Sequence, residues 1–182
     1  MSNENTPEFR YADETEVRVS QLMLPGAANA HGSVHGGEML KLVDSIAYVC
    51  ACRFSGGLCV TAAVDRVDFH EPILVGELVN LIARVCYVGR TSLEVEIDVF
   101  AEDIPTGSVR HTNSCYLTMV HLEDGRPAIV PRLVCRTRED KARWIQAKTR
   151  RELSVRQREE RERLVVKFGQ LSDEELDRLV AG

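Results

Sequence analysis

The sequence predicts an α+β domain in which an antiparallel sheet wraps one central helix, with a charged helical extension behind it. Three observations lead there. Apolar side chains recur at helical spacing between Met39 and Ala51, the stretch from Leu58 to Val120 is strand-like with hairpin-sized turns, and the composition changes character at Pro131. One helix followed by consecutive strands implies antiparallel pairing. The apolar face of such a sheet must be covered, and the helix is the element placed to cover it.

Taken in order, residues 1–14 read as a polar tail and 15–131 as the folded domain. "EVRVSQLMLP" (16–25) begins as a strand and stops at Pro25-Gly26. In "GEMLKLVDSIAYVCACRF" the residues Met39, Leu40, Val43, Ile46, Ala47, Cys50 and Ala51 form one stripe, until Ser55-Gly56-Gly57 ends the helix. Four strands follow: "CVTAAVDRVDF", "LVNLIARVCYV", "SLEVEIDVFAE" and "SVRHTNSCYLTMVHL", the last closing at "EDGRP". Residues 132–182 read as a mostly solvated helical extension, in which Ser172 caps a final short helix.

Charge narrows the function. The net charge of -5 divides unevenly, because Arg132 to Lys167 carries 13 Lys or Arg against 6 Asp or Glu. That basic stretch mixes acids among its bases and has Trp144 as its one aromatic before Phe168, so it reads as a solvated helix rather than a nucleic-acid surface. Attraction of phosphate groups is a further role for some of its arginines. No apolar run approaches the roughly 20 residues of a membrane span, and the acidic start is unlike a targeting peptide, so a cytoplasmic protein is expected. Cys50, Cys52, Cys59, Cys86, Cys115 and Cys135 lie mostly in apolar surroundings and read as reduced core residues; neither they nor the histidines have metal-ligand spacing.

The informative stretch is "NAHGSVHGGEMLKLVD" (29–44). Glycines at a helix start let a carbonyl or phosphate oxygen approach unpaired backbone N–H groups, so Gly36-Gly37 reads as an oxyanion site or as a tight turn into the helix. Asp44 follows Lys41 by three residues and reads as half of an exposed ion pair or as a functional carboxylate. His35 is a candidate base or a group packed on the turn, and His70 reads as structural.

Four separated motifs, "ANAHGSVHGGEMLKLVD", "DRVDFHEPILVGE", "VGRTSLEVEIDVF" and "DGRPAIVPR", together resemble the hotdog-fold acyl-CoA thioesterases of the YciA and brain acyl-CoA hydrolase type over residues 16–132. The resemblance implies hydrolysis of acyl-CoA to a free acid and coenzyme A, which is substrate and product rather than a resident cofactor. It places the hydrolytic pair on Asn29 and Asp44, the thioester-polarising N–H on Gly37, and a coenzyme A-holding turn on Gly89, Arg90, Thr91 and Ser92. It also implies a homodimer that assembles further to a hexamer. Asp44 would activate water or attack the carbonyl directly. Seven residues of helix rise about 10 Å, so Asp44 cannot easily reach a carbonyl held at Gly37 of its own chain, and a two-fold dimer with composite sites is favoured. A hydratase acting on an enoyl thioester, or a non-catalytic coenzyme A or nucleotide sensor, are the alternatives.

Overall fold

The computed structural model describes residues 9–65, 67 and 69–181. The chain divides into two compact units, residues 1–144 and 145–182.

In the first unit, helix α1 (Gly36–Ser55) lies on a curled antiparallel sheet. The strands are β2 (Val17–Leu22), β3 (Leu58–Val64), β4 (Leu78–Val88), β5 (Ser92–Asp103) and β6 (Ser108–Glu123), with the short β7 (Arg126–Pro127) beside β6. Their spatial order is β2-β4-β5-β6-β3. The expected stripe leaves Leu40 exposed but buries Met39, Val43, Ile46, Ala47, Cys50 and Ala51, and Phe54 continues it. These meet Val79, Leu81, Val85, Val95, Ile97, Leu117 and Met119 from alternate positions of β4, β5 and β6. Gly56 ends α1 at φ 79°, donating its N–H to the Cys52 carbonyl, a left-handed cap that a side chain would strain. Between β6 and β7, Asp124 and Gly125 both take positive φ, as a two-residue hairpin turn requires.

The structure departs from the sequence reading elsewhere as well. The strand expected from Cys59 to Phe69 ends at Val64, where the chain leaves the sheet edge and brings the Phe69 ring over Gly36. Arg66 and Asp68 of that expectation lie outside the described residues. Strands β1 (Phe9–Tyr11) and β8 (Arg132–Val134) form a parallel pair, Phe9 opposite Arg132. Each is three residues long, too short for periodicity to reveal.

Helix α2 (Arg138–Gly169) begins in the first unit, and there it is only partly solvated, with Asp140 buried and Arg143 and Trp144 half-buried. The Trp144 ring lies 5.5 Å from that of Tyr87, and Arg143 sits 3.3 Å from the Glu96 carboxylate, which is buried on the sheet's outer face. In the second unit, the start of α3 (Asp173–Ala181) carries the expected serine cap. The Ser172 hydroxyl accepts the Glu175 N–H while the Glu175 carboxylate accepts the Ser172 N–H, a reciprocal box.

Arg110 on β6 fixes the loop between β3 and β4. Its guanidinium donates to both Glu77 oxygens at 2.6 and 2.8 Å and to the Pro72 carbonyl at 2.8 Å, while Glu77 also accepts the Leu74 N–H. Arg110 holds the Glu77 carboxyl below the ordinary value of 4.5. A carboxyl depressed by folding contributes stability that is fully present above its unfolded value and is lost as pH falls through the folded one. Replacing Arg110 by Met strands a buried carboxylate, and we expect a loss of about 3 kcal/mol in urea unfolding at pH 7. The gap between wild type and variant should close below pH 4.5, and a pH-independent gap would mean that the pair is not its origin.

Candidate active site

The turn before α1 is organised by Asn29. Its side-chain carbonyl accepts the N–H groups of His31 (2.8 Å) and Ser33 (3.3 Å), and its amide donates to the Ser33 hydroxyl at 2.9 Å. The backbone bonds between Asn29 and Ser33 and from Gly32 to Asn29 close the same loop. Asn29 therefore holds a tight turn, and this uses its acceptor capacity first. An amide has two N–H donors, and the second has no partner among the described residues. The site available on Asn29 is a donor.

His35 ends that turn and caps the helix. Its Nδ1 accepts the Gly37 N–H at 2.8 Å, so the amide expected to face an oxyanion is satisfied by an imidazole here. That geometry explains the second glycine of the pair. A Cβ on Gly37 would lie 2.9 Å from His35 Nδ1, whereas one on Gly36 would meet the Phe69 ring at an ordinary 3.6 Å. His35 is thus a cap rather than a free base. Beside it, Val34, Met39, Phe69, His70, Pro72 and Ile73 line a cavity of about 330 Å³. Glu38, one residue further on, adds an acid at the helix start.

Asp44 lies two turns along α1, about 10 Å from Gly37. Among the described residues it forms no ion pair with Lys41. Its Oδ1 instead accepts the Thr61 hydroxyl at 2.5 Å. Thr61 sits on β3, the edge strand of the sheet, at a register shift opposite β6. The bond ties the carboxylate to β3, and Asp44 remains exposed. Sequence reasoning missed Thr61, because a threonine in a strand is unremarkable until the fold sets that strand beside α1. Around the pair, Leu40 and Tyr48 on α1 and Leu58, Val60 and Val64 on β3 are exposed. An open strand edge flanked by apolar side chains is a surface made for pairing.

Gly89, Arg90, Thr91 and Ser92 form the tight turn from β4 to β5, closed by a 2.7 Å bond from the Gly89 N–H to the Ser92 carbonyl. The Arg90 and Thr91 carbonyls accept from Val130 and His121, so the turn is tied to the segment after β7 and to β6. Arg90 and Thr91 share an open groove of about 660 Å³ with Arg126, Glu123 and Asp124. Arg126 was not singled out from the sequence, although it stands in the "DGRP" motif.

Arg136 and Arg143, arginines of the basic stretch that lie in the first unit, have structural partners there. Arg136 binds Asp13 and Glu14 and stacks 3.9 Å over the Tyr11 ring, and Arg143 faces Glu96. All six cysteines are free thiols. Burial pushes the Cys50 thiol up to about 12 and those of Cys59 and Cys115 to about 11, far from reactive thiolates. Among the described residues no group of three or more His, Cys, Asp or Glu could hold a metal, and no helix is long and apolar enough to cross a membrane.

The thioesterase superfamily pattern matches residues 31–108, which span the α1 start, Asp44, Thr61 and the β4–β5 turn. The uncharacterized acyl-CoA thioester hydrolase YkhA of Bacillus subtilis is 36% identical over 136 residues, covering 74% of this chain and 79% of that one. The chain belongs to the thioesterase superfamily. Another relative, the protein VdlD of Helicobacter pylori, is 44% identical over 145 residues, 80% of this chain and 83% of that one. Among solved structures, an acyl-CoA hydrolase from Staphylococcus aureus in complex with butyryl coenzyme A, coenzyme A and coenzyme A disulfide is 28% identical at a TM-score of 0.80, covering 89% of this chain and 99% of that one. The same enzyme is solved as three alanine variants, of an asparagine, an aspartate and a threonine, at TM-scores of 0.82, 0.80 and 0.79. An acyl-CoA thioesterase solved in an apo-hexameric form is 32% identical at a TM-score of 0.79, covering 81% of this chain and 96% of that one. These likenesses establish the fold as that of the superfamily, the hotdog arrangement expected from the motifs.

The cap gives a direct test of the local geometry. His35→Ala should destabilise this thioesterase-family domain by about 1 kcal/mol in urea unfolding, and His35→Asn, which restores a capping oxygen, should recover most of it. Equal losses in both variants would show that the imidazole stabilises by packing instead.

Proposed function

We propose that the protein hydrolyses acyl-CoA thioesters to a carboxylic acid and coenzyme A, as a homodimer whose two sites each take Asn29 from one protomer and Asp44 from its partner. The observation that carries this reading is the Asp44 carboxylate, held by Thr61 on an open sheet edge and two helical turns from its own helix start. The Staphylococcus aureus variants support it. Their asparagine, aspartate and threonine are separated by fifteen and then seventeen residues, as Asn29, Asp44 and Thr61 are here.

In this reading the thioester carbonyl lies at the α1 start, where the Gly37 N–H, released by His35, and the spare Asn29 N–H stabilise the developing oxyanion. Asp44 of the partner protomer accepts a proton from water as its oxygen adds to the carbonyl carbon. The C–S bond then breaks, and coenzyme A leaves with its sulfur protonated. Thr61 positions the carboxylate. The acyl chain occupies the cavity lined by Val34, Met39 and Phe69, and the Arg90 and Arg126 guanidinium groups meet phosphates of the nucleotide end. No step needs a metal or resident cofactor. Pairing of two β3 edges builds the dimer, and further assembly to a hexamer follows the apo-hexameric relative. A hydratase reading is less well supported, because the histidine nearest the helix start caps Gly37 while Asp44 takes its bond from a threonine.

Asp44→Ala should lower kcat about 100-fold or more with little change in KM, and Thr61→Val about 10-fold, read by release of free coenzyme A. Asn29→Ala and Asp44→Ala proteins refolded together should regain about a quarter of wild-type sites, because a mixed dimer places both lesions in one site and none in the other. Confirmed mixed dimers without that gain would put both residues in one chain's site. Single turnover in ¹⁸O-water separates the two roles of Asp44: label in the first acid released supports water activation, and unlabelled acid supports direct attack.

Coenzyme A at about 100 times its Kd should stabilise the fold by about 2.7 kcal/mol. Arg90→Ala should weaken coenzyme A binding more at low salt than at high. A melting temperature indifferent to saturating coenzyme A would count against the nucleotide groove.

A further inference from the structure

A cavity at the other end of α1 has no part in this chemistry. It measures about 380 Å³ and lies between β1, the chain leading into β2, and the last turn of the helix. Its floor belongs to the core, since Val17, Cys50 and Phe54 are 6%, 1% and 2% exposed. Over that floor stand two arginines, Arg10 and Arg53. The Arg10 Nε is buried without a hydrogen-bond acceptor, and neither guanidinium has an ion-pair partner among the described residues. The acids on the rim are committed elsewhere: Glu14 to Arg136, and Glu16 to Arg18 and Arg84. The cavity thus combines an apolar floor with uncompensated positive charge, and a buried guanidinium N–H lacking an acceptor is a costly arrangement unless something supplies one.

What would supply it follows from the groups left over. A guanidinium matches the paired oxygens of a carboxylate or a phosphate. The polar groups on the floor are already used. The Thr15 hydroxyl donates to the Ala12 carbonyl and accepts the Val85 N–H, and the Cys50 thiol donates to the Thr15 carbonyl. Little remains to recognise a sugar or a base, so the body of the ligand must be apolar. The volume is at the small end of ligand pockets, which excludes a whole coenzyme A thioester. The distance from the active site is large as well: Arg53 lies sixteen residues, about 24 Å, along α1 from Gly37.

We propose that this cavity binds a small carboxylate with an apolar tail, held by Arg10 and Arg53. That is the chemistry of the free acid released by thioester hydrolysis, and naming the occupant so rests on the function proposed above. The acid's two oxygens face the guanidinium groups and its tail lies on Val17, Cys50 and Phe54.

The test is calorimetric titration of the full chain with octanoate, 1-octanol and inorganic phosphate, in wild type, Arg10→Gln and Arg53→Gln. Octanoate should bind the wild type and weaken at least 10-fold in each variant, while acyl-CoA hydrolysis stays at the wild-type rate. Octanol, with the same tail and no charge, should bind at least 10-fold more weakly than octanoate. Octanoate binding equal in all three proteins would place it elsewhere, the active site included, and overturn the proposal. So would its absence in wild type, or phosphate binding as tight as octanoate. Arg53 is exposed on the helix surface, so its variant decides the matter alone if Arg10→Gln fails to fold. A wild type that binds octanoate through both arginines yet hydrolyses no acyl-CoA would sink the enzymatic reading and leave the site standing.

Discussion

The burial of α1 against the curled sheet is the constraint from which the rest follows. One helix on one face of a sheet can hide only part of its circumference, and here the hidden part runs from Met39 through Val43, Ile46, Ala47 and Cys50 to Phe54. The flanking strip, Leu40, Asp44 and Tyr48, is left outside and lies next to β3 at the sheet's edge. The same geometry aims the helix start at the loop between β3 and β4, where Arg110 and Glu77 hold the chain that carries Phe69 over Gly36. Burying the helix therefore settles which of its groups stay available for chemistry.

That dependence explains what could be read without coordinates. Helix α1 and strands β4, β5 and β6 were legible because their apolar periods of 3.6 and 2 extend over eleven residues or more. Strands β1 and β8 carry three residues each and are defined by each other, at a sequence separation no local pattern spans. The start of α2 looked solvated because its residues are polar. Most of them are exposed, and Arg143 and Trp144 are half-buried by contact with Glu96 and Tyr87 on the outer face of the sheet.

The site was partly legible for the same reason. Asn29, Gly37 and Asp44 stand close together in sequence and could be weighed as a group, and the structure sets them around one helix. Their individual behaviour was not readable. Asn29 is tied into its own turn, the Gly37 N–H is capped by His35, and the partner of Asp44 comes from a strand seventeen residues away. Each of these is a hydrogen bond chosen in competition with others that the sequence equally allows. Thr61 illustrates the limit, since its hydroxyl also lies 3.5 Å from the Met119 sulfur.

The parallel pair of β1 with β8 has a consequence for the order of events during synthesis. Phe9 pairs with Arg132, so the first strand of the described chain waits for a partner made more than a hundred residues later. At roughly 5 to 20 residues per second the ribosome takes about 6 to 25 s to supply it. During that interval α1 and the growing sheet can already find each other, while Phe9, Arg10 and Tyr11 lack their strand partner. The cavity over Val17 and Phe54 is in this sense the last room of the domain to acquire a wall. Its completion marks a chain whose sheet has been fully delivered.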